Sequence, residues 1–114
     1  MVFVERLRFA GGEPLARLRN YLPTKLVELS DRALEERGLY QLLRGAGIHL
    51  RVATQVVGAR AATAAEARLL EEPRGAPLLM MSRTTYDDSG RVVEFGTHIY
   101  RASRYTFEHT LVGR

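Results

Sequence analysis

The sequence contains no cysteine and no tryptophan, and only four prolines in 114 residues. Without cysteine there is no disulfide scaffold, no thiol nucleophile and no cysteine-ligated zinc. No apolar run reaches membrane-spanning length, which excludes a transmembrane helix. Val2, Phe3 and Val4 give way at once to charges, so the N-terminus does not read as a signal peptide. Lysine is almost missing, with Lys25 standing against sixteen arginines. No block of positive charge exists either. Residues 1–57 carry nine basic and six acidic side chains, and residues 58–114 carry eight and seven. The net charge of +4 and the pI near 10.0 are thus spread over a solvated surface, not gathered as a DNA footprint. What is present is ordinary for a globular chain: 46% apolar and 26% charged residues, enough for one domain. The expectation is a soluble, cytoplasmic, single-domain chain.

Residues 2–9 alternate, with Phe3, Leu7 and Phe9 on one parity and Arg6 and Arg8 on the other. That period predicts a strand whose apolar side is buried. Ala10-Gly11-Gly12-Glu13 predicts a turn, and Pro14 to Leu22 a second strand closed by Pro23. A short helix is expected from Ser30 or Asp31 through Arg37, stopped by Gly38. Another covers Leu39 to Leu43 and ends at Gly45 and Gly47. Ile48 to Ala62 is extended again, with Ile48, Leu50, Val52, Thr54 and Val56 expected on one face. Thr63-Ala64-Ala65-Glu66 is a capping box, in which hydroxyl and carboxylate each accept from the other residue's backbone N–H. Its helix carries Leu69 and Leu70 and ends before Pro73. Leu78 to Tyr86 and Arg91 to Arg101 flank Asp87-Asp88-Ser89-Gly90, a polar hairpin loop, and Arg104 to Val112 reads as a last strand. This order, without regular strand–helix alternation, predicts an α+β fold with a largely antiparallel sheet and a few short helices.

Enzymatic constellations are scarce. His49, His98 and His109 fall on separate strands without the helical spacing of a zinc pair. Glu94 and His98 share a parity, but four strand residues part them by about 13 Å. Neither a metal site, a cofactor loop nor a catalytic set is expected. Two polar sets stand out instead. Arg6 and Arg8 face the same way about 7 Å apart, close enough to grip one phosphate or carboxylate. Glu94, Gly96, His98 and Tyr100 share a face, where glycine leaves room for something to approach the backbone. Residue pattern alone also allows both sets to be plain solvated sheet faces.

Spaced polar positions carry a further signal. Arg83, Tyr86, Asp87, Gly90, Val93 and Glu94 lead to Tyr100, Arg101, Arg104 and Tyr105. Arg6-Leu7-Arg8, Gly12, Glu13-Pro14 and Leu22-Pro23 precede them, with Leu39-Tyr40, Leu42-Leu43 and Gly47-Ile48 between. This pattern resembles the UTRA domain, the effector-binding domain of HutC-type GntR transcriptional regulators. The resemblance implies a curved, largely antiparallel sheet with short helices, as in chorismate lyase, and usually a homodimer. It implies a small-molecule effector, anionic here because of the arginines. DNA would be engaged only through a separate winged helix-turn-helix domain, with no membrane partner. No such domain is read in this chain, which is expected to be an excised C-terminal piece or a truncated relative that begins late within the family domain.

By position, the resemblance assigns Arg6, Arg8, Glu94 and Tyr100 to the ligand cavity. Gly38, Leu39 and Tyr40 fall where the family opens its middle helix, whose free N–H groups receive an anion. Leu18 stands where the family commonly has a glutamate. An effector less polar on that side than an amino-sugar phosphate is therefore expected. Two rival functions remain at this point: a lyase of the chorismate lyase-like fold, and a purely structural dimerisation module.

Overall fold

A computed structural model describes residues 2–23 and 38–113. Gly11 and Gly12 take φ values of 60° and 80°, left-handed conformations that glycine reaches without a Cβ clash and that a tight hairpin turn needs. They join β1 (Val2–Ala10) to β2 (Glu13–Leu22), the predicted N-terminal hairpin. Then come α1 (Leu39–Gly45), β3 (Leu50–Ala61), α2 (Ala64–Leu70), β4 (Pro77–Asp87) and β5 (Val92–Arg101). The expected helix from Ser30 or Asp31 to Arg37 lies outside the described residues.

All strand pairs are antiparallel, and the sheet order is β1-β2-β5-β4-β3. The predicted α+β class with a curved antiparallel sheet is the one observed. The last strand of the chain lies in the middle of the sheet.

Among the described residues, one helix covers each face. The capping box forms as predicted: Thr63 Oγ1 accepts from the Glu66 N–H at 3.2 Å, and Glu66 Oε1 accepts from the Thr63 N–H at 3.1 Å. It starts α2, whose Ala67 and Leu70 pack on Leu78 and Ile99. On the other face, Leu39 and Leu43 of α1 pack on Leu22, with Val2, Val4 and Leu50 alongside. Beside α1 on that face a further cluster joins Ala16, Leu18, Met81 and Tyr100, against which Tyr105 and Phe107 lie. Arg101, buried in the α2 face, donates to the Pro14 carbonyl at 2.8 Å and bridges to Glu72 at 3.5 Å. The Tyr-Arg pair ending β5 thus fastens β2 and the end of α2 to the sheet centre.

Three expectations are corrected. First, the burial of β1 departs from expectation at Phe3, Arg6 and Phe9: Phe3 and Phe9 are 50% and 56% exposed and Arg6 lies half-buried on the side that α1 covers, while Leu7 stays half-buried against the α2 cluster. Strand parity fixes which residues share a face; the helix that arrives later fixes which face is covered. Second, a bulge between Leu50 and Val52 splits the β3 set. Ile48 and Leu50 pack with α1, whereas Val52 and Val56 are exposed on the opposite side. Third, Arg104 to Val112 forms no strand. Both neighbours of β5 are already paired, so the chain turns after Arg101 (Arg104 N–H to Arg101 C=O, 3.0 Å) and folds back. Its alternating Tyr105, Phe107 and His109 stack instead, Tyr105 at 4.3 Å from Tyr100 and Phe107 at 4.9 Å from His109.

Candidate functional site

Register gathers the polar residues. Across the α1 face, Arg6 pairs with Leu18, Leu18 with His98, and Asn20 with Gly96. Gly96 pairs with Arg83, Thr85 with Glu94, and Arg83 with Gln55. Paired residues point to the same side of a sheet, so one row of side chains crosses every strand. Tyr40 reaches this row from α1.

Glu94 is the hub, with 0% of its surface exposed. Its Oε1 accepts from Tyr40 Oη–H and from Thr85 Oγ1–H, each at 3.0 Å, and its Oε2 accepts from the Asn20 amide. The same Asn20 uses its Oδ1 to accept from Arg6 Nη2 at 3.3 Å. Arg83 donates to the Tyr40 hydroxyl at 3.0 Å and through two nitrogens to Gln55 Oε1 at 2.9 and 2.7 Å. It also lies over the Tyr40 ring, 5.7 Å from its centre. A buried carboxylate that accepts three hydrogen bonds ties the elements that donate them together.

Gly96 makes this packing possible. A Cβ there would stand 2.7 Å from Glu94 Oε2, 2.9 Å from His98 Nε2 and 3.1 Å from Asn20 Nδ2. The side-chain tips of Glu94 and His98 therefore converge over the glycine, which the spacing of their backbones along the strand conceals. The expected plain solvated face is instead buried.

Positive charge dominates around the hub. Burial first, and then the charge of Arg8, lower the Arg6 guanidinium from its ordinary value; Glu94 opposes them. Burial first, and then Arg83 and Arg6, push His98 down to about 4, so the ring is neutral near pH 7. Burial raises the Tyr100 phenol. Among the described residues, Arg6 and Arg83 hydrogen-bond to neutral groups only, and Arg6 Nε and both nitrogens of His98 are buried without a partner. No group of three or more metal-ligating side chains occurs among the described residues.

Of the residues expected from sequence, Arg6, Tyr40 and Glu94 come together. Tyr100 is adjacent, its ring 6.3 Å from and edge-on to His98. Arg8 is exposed, in register with Ala16 and through it with Tyr100. Gly38 is the N-cap of α1 at φ 77°, and Leu39 is a core residue beneath that helix. Leu18 keeps its parity with Ala16 and Asn20, because the bulge between Arg8 and Phe9 lies beyond its pair. Its side chain, however, is buried among Ala16, Met81 and Tyr100. Packing against the Tyr100 ring replaces the expected shaping of effector polarity. Asn20, Gln55, Arg83 and Thr85 were not expected in the site. Parity with Leu18 points to Asn20, and parity with Met81 links Arg83 to Thr85. Their meeting depends on cross-strand register, which local pattern does not carry.

Comparisons with known proteins agree with this architecture. Residues 1–106 match the UTRA domain. The HTH-type transcriptional repressor NagR of Bacillus subtilis is 34% identical over 107 residues, which are 93% of this chain and 44% of NagR. The crystal structure of a transcriptional regulator from Streptomyces coelicolor is 60% identical, with a TM-score of 0.94, over 98% of this chain and 75% of that one. The effector domain of PhnF from Mycobacterium smegmatis shares the fold at 23% identity and a TM-score of 0.83, covering 97% of this chain and 69% of that one. This chain spans less than half the length of NagR. It belongs to the UTRA domain family and is homologous to the effector-binding domains of GntR-family transcriptional regulators.

Proposed function

We propose that this chain senses a small anionic effector on the α1 face of its sheet, as the non-enzymatic module of a cytoplasmic regulator. A separate winged helix-turn-helix domain of the whole protein would contact DNA. The observation that carries the reading is the charge imbalance: Arg6 and Arg83, with Arg8 at the rim, surround one carboxylate that is already saturated. Guanidinium groups with only neutral partners gain most from a phosphate or carboxylate that accepts two N–H bonds at once. The match to transcriptional regulators supports sensing over the lyase alternative. Thermal-shift and calorimetric titration against small phosphates and carboxylates tests this. Each charge-assisted bond contributes about 1.5–3 kcal/mol, so Arg6→Ala or Arg8→Ala should weaken binding about ten- to a hundredfold. Unchanged affinity in both variants would overturn the assignment.

A homodimer through the sheet is part of the proposal. β1 and β3 are edge strands with unpaired backbone groups, and Val56 on β3 is 62% exposed. Light scattering at high micromolar concentration should give about twice the 12.8 kDa chain mass. A monomer there would refute it.

A further inference from the structure

We propose that His98 contacts the anion directly and takes up a proton when it binds, which couples effector affinity to pH. The proposal rests on the anion-sensing reading above and deepens it. Three observations on geometry carry it. His98 is 8% exposed, and among the described residues neither ring nitrogen has a hydrogen-bond partner. Its Nε2 lies 2.9 Å from where a Cβ on Gly96 would stand, in the middle of the polar row. Arg6 is in register with Leu18 and through it with His98, and Arg83 is in register with Gly96, two residues from His98, so two guanidinium groups share its face; among the described residues no carboxylate hydrogen-bonds to the ring. A buried imidazole without partners is rare in a settled structure, because most buried polar groups find one. Here the missing partner matches the ligand that the arginines lack.

Electrostatics gives the direction. Like charges and burial keep the free ring neutral. An oxyanion seated against Arg6 and Arg83 cancels that field and offers His98 an acceptor for its N–H. The charged imidazolium then gains a partner, and its proton affinity rises. The other groups facing this space are Glu94 and Tyr100 on the same strand, Tyr40 on α1, and Arg8 at the rim. Arg8 strengthens the field, burial raises the Tyr100 phenol, and Glu94 is held by three hydrogen bonds.

Sulfate is the probe, because this dianion does not titrate between pH 4 and 8. The wild-type chain is followed by histidine NMR, with His49 and His109 as internal references. Chloride at matched ionic strength is the control. The expected result is a shift of the His98 ring resonances with sulfate and a midpoint raised from about 4 by at least about one pH unit. Sulfate affinity should then rise as pH falls from 7 to 4, by up to about tenfold for each unit gained. In His98→Gln the ratio of sulfate affinities at pH 4 and pH 7 should fall to about one. If sulfate moves the Arg6 and Arg83 resonances but not those of His98, the inference fails while the anion reading stands. A pH dependence that persists in His98→Gln assigns the proton to a group other than His98 and likewise overturns it. If sulfate moves none of these resonances, the anion reading falls with it.

Discussion

Glu94→Ala should lower the free energy of unfolding by about 3–5 kcal/mol, read as a shift in the urea midpoint. The substitution removes the acceptor for Asn20, Thr85 and Tyr40 together. Asn20 is 1% exposed and Thr85 is also buried, so water cannot replace the carboxylate without opening the sheet face. Each stranded buried donor costs about 1–3 kcal/mol, and the emptied volume adds to it. Glu94→Gln should cost much less. Its amide oxygen can face the Asn20 amide, which only donates there, while its NH2 meets the Tyr40 and Thr85 hydroxyls, which can turn to accept. A loss below about 1 kcal/mol in Glu94→Ala would show that the hub does not hold the face together. Equal losses in the two variants would show that charge, not the count of acceptors, is what matters.

Acidification should destabilise the ligand-free protein by about 3 kcal/mol between pH 6.5 and 4. His98 titrates at about 4 in the fold and near 6.5 when unfolded. Between those values the unfolded chain binds more protons, so stability falls as pH falls. The contribution is intact above 6.5 and gone below about 4; the gap between the two values sets the size. Glu66 governs the next stage. Hydrogen bonds from Arg60 first, and from the Thr63 backbone, hold its carboxyl at about 2, against 4.5 ordinarily. That stabilisation is present above pH 4.5 and is lost toward pH 2. Urea melts at about pH 7, 5.5, 4 and 2.5 in sulfate-free buffer, on the wild type and His98→Gln, separate the stages. The variant should lose the slope between pH 6.5 and 4 and keep the one below it. A wild-type profile that is flat over the upper window would contradict the burial of a neutral His98.

Local chemistry was legible where the sequence alone decides it. The Gly11-Gly12 turn, the Thr63–Glu66 capping box and the Asp87–Gly90 loop all form, because each depends on a few neighbouring residues. Arg6, Glu94 and Tyr100 stood out by parity, and the family resemblance supplied Tyr40. What local pattern could not supply was coverage and register. Whether Arg6 or Phe3 is buried depends on where α1 lands. Asn20 meets Glu94 across 74 residues of chain, through a β2–β5 pairing that neither strand specifies alone. The tail misled for the same reason: its alternation is real, but with both sides of β5 occupied it had no strand to join.

Because β5 is central and last, the protein cannot assemble in the order in which it is synthesised. While the ribosome is still adding residues before Val92, the β1–β2 hairpin and the β3–β4 pair have no strand to join them. β4 and β5 are joined by a short loop and pair at little entropic cost, whereas β2 must close a loop of some seventy residues onto β5. The expected sequence is a β3-β4-β5 unit first, with the arginine-bearing hairpin docking afterwards. Until that docking is complete, Arg6 and Asn20 are apart from Glu94 and His98. A nascent or partly unfolded chain would therefore lack the proposed effector site, which forms in one step with the closing of the sheet.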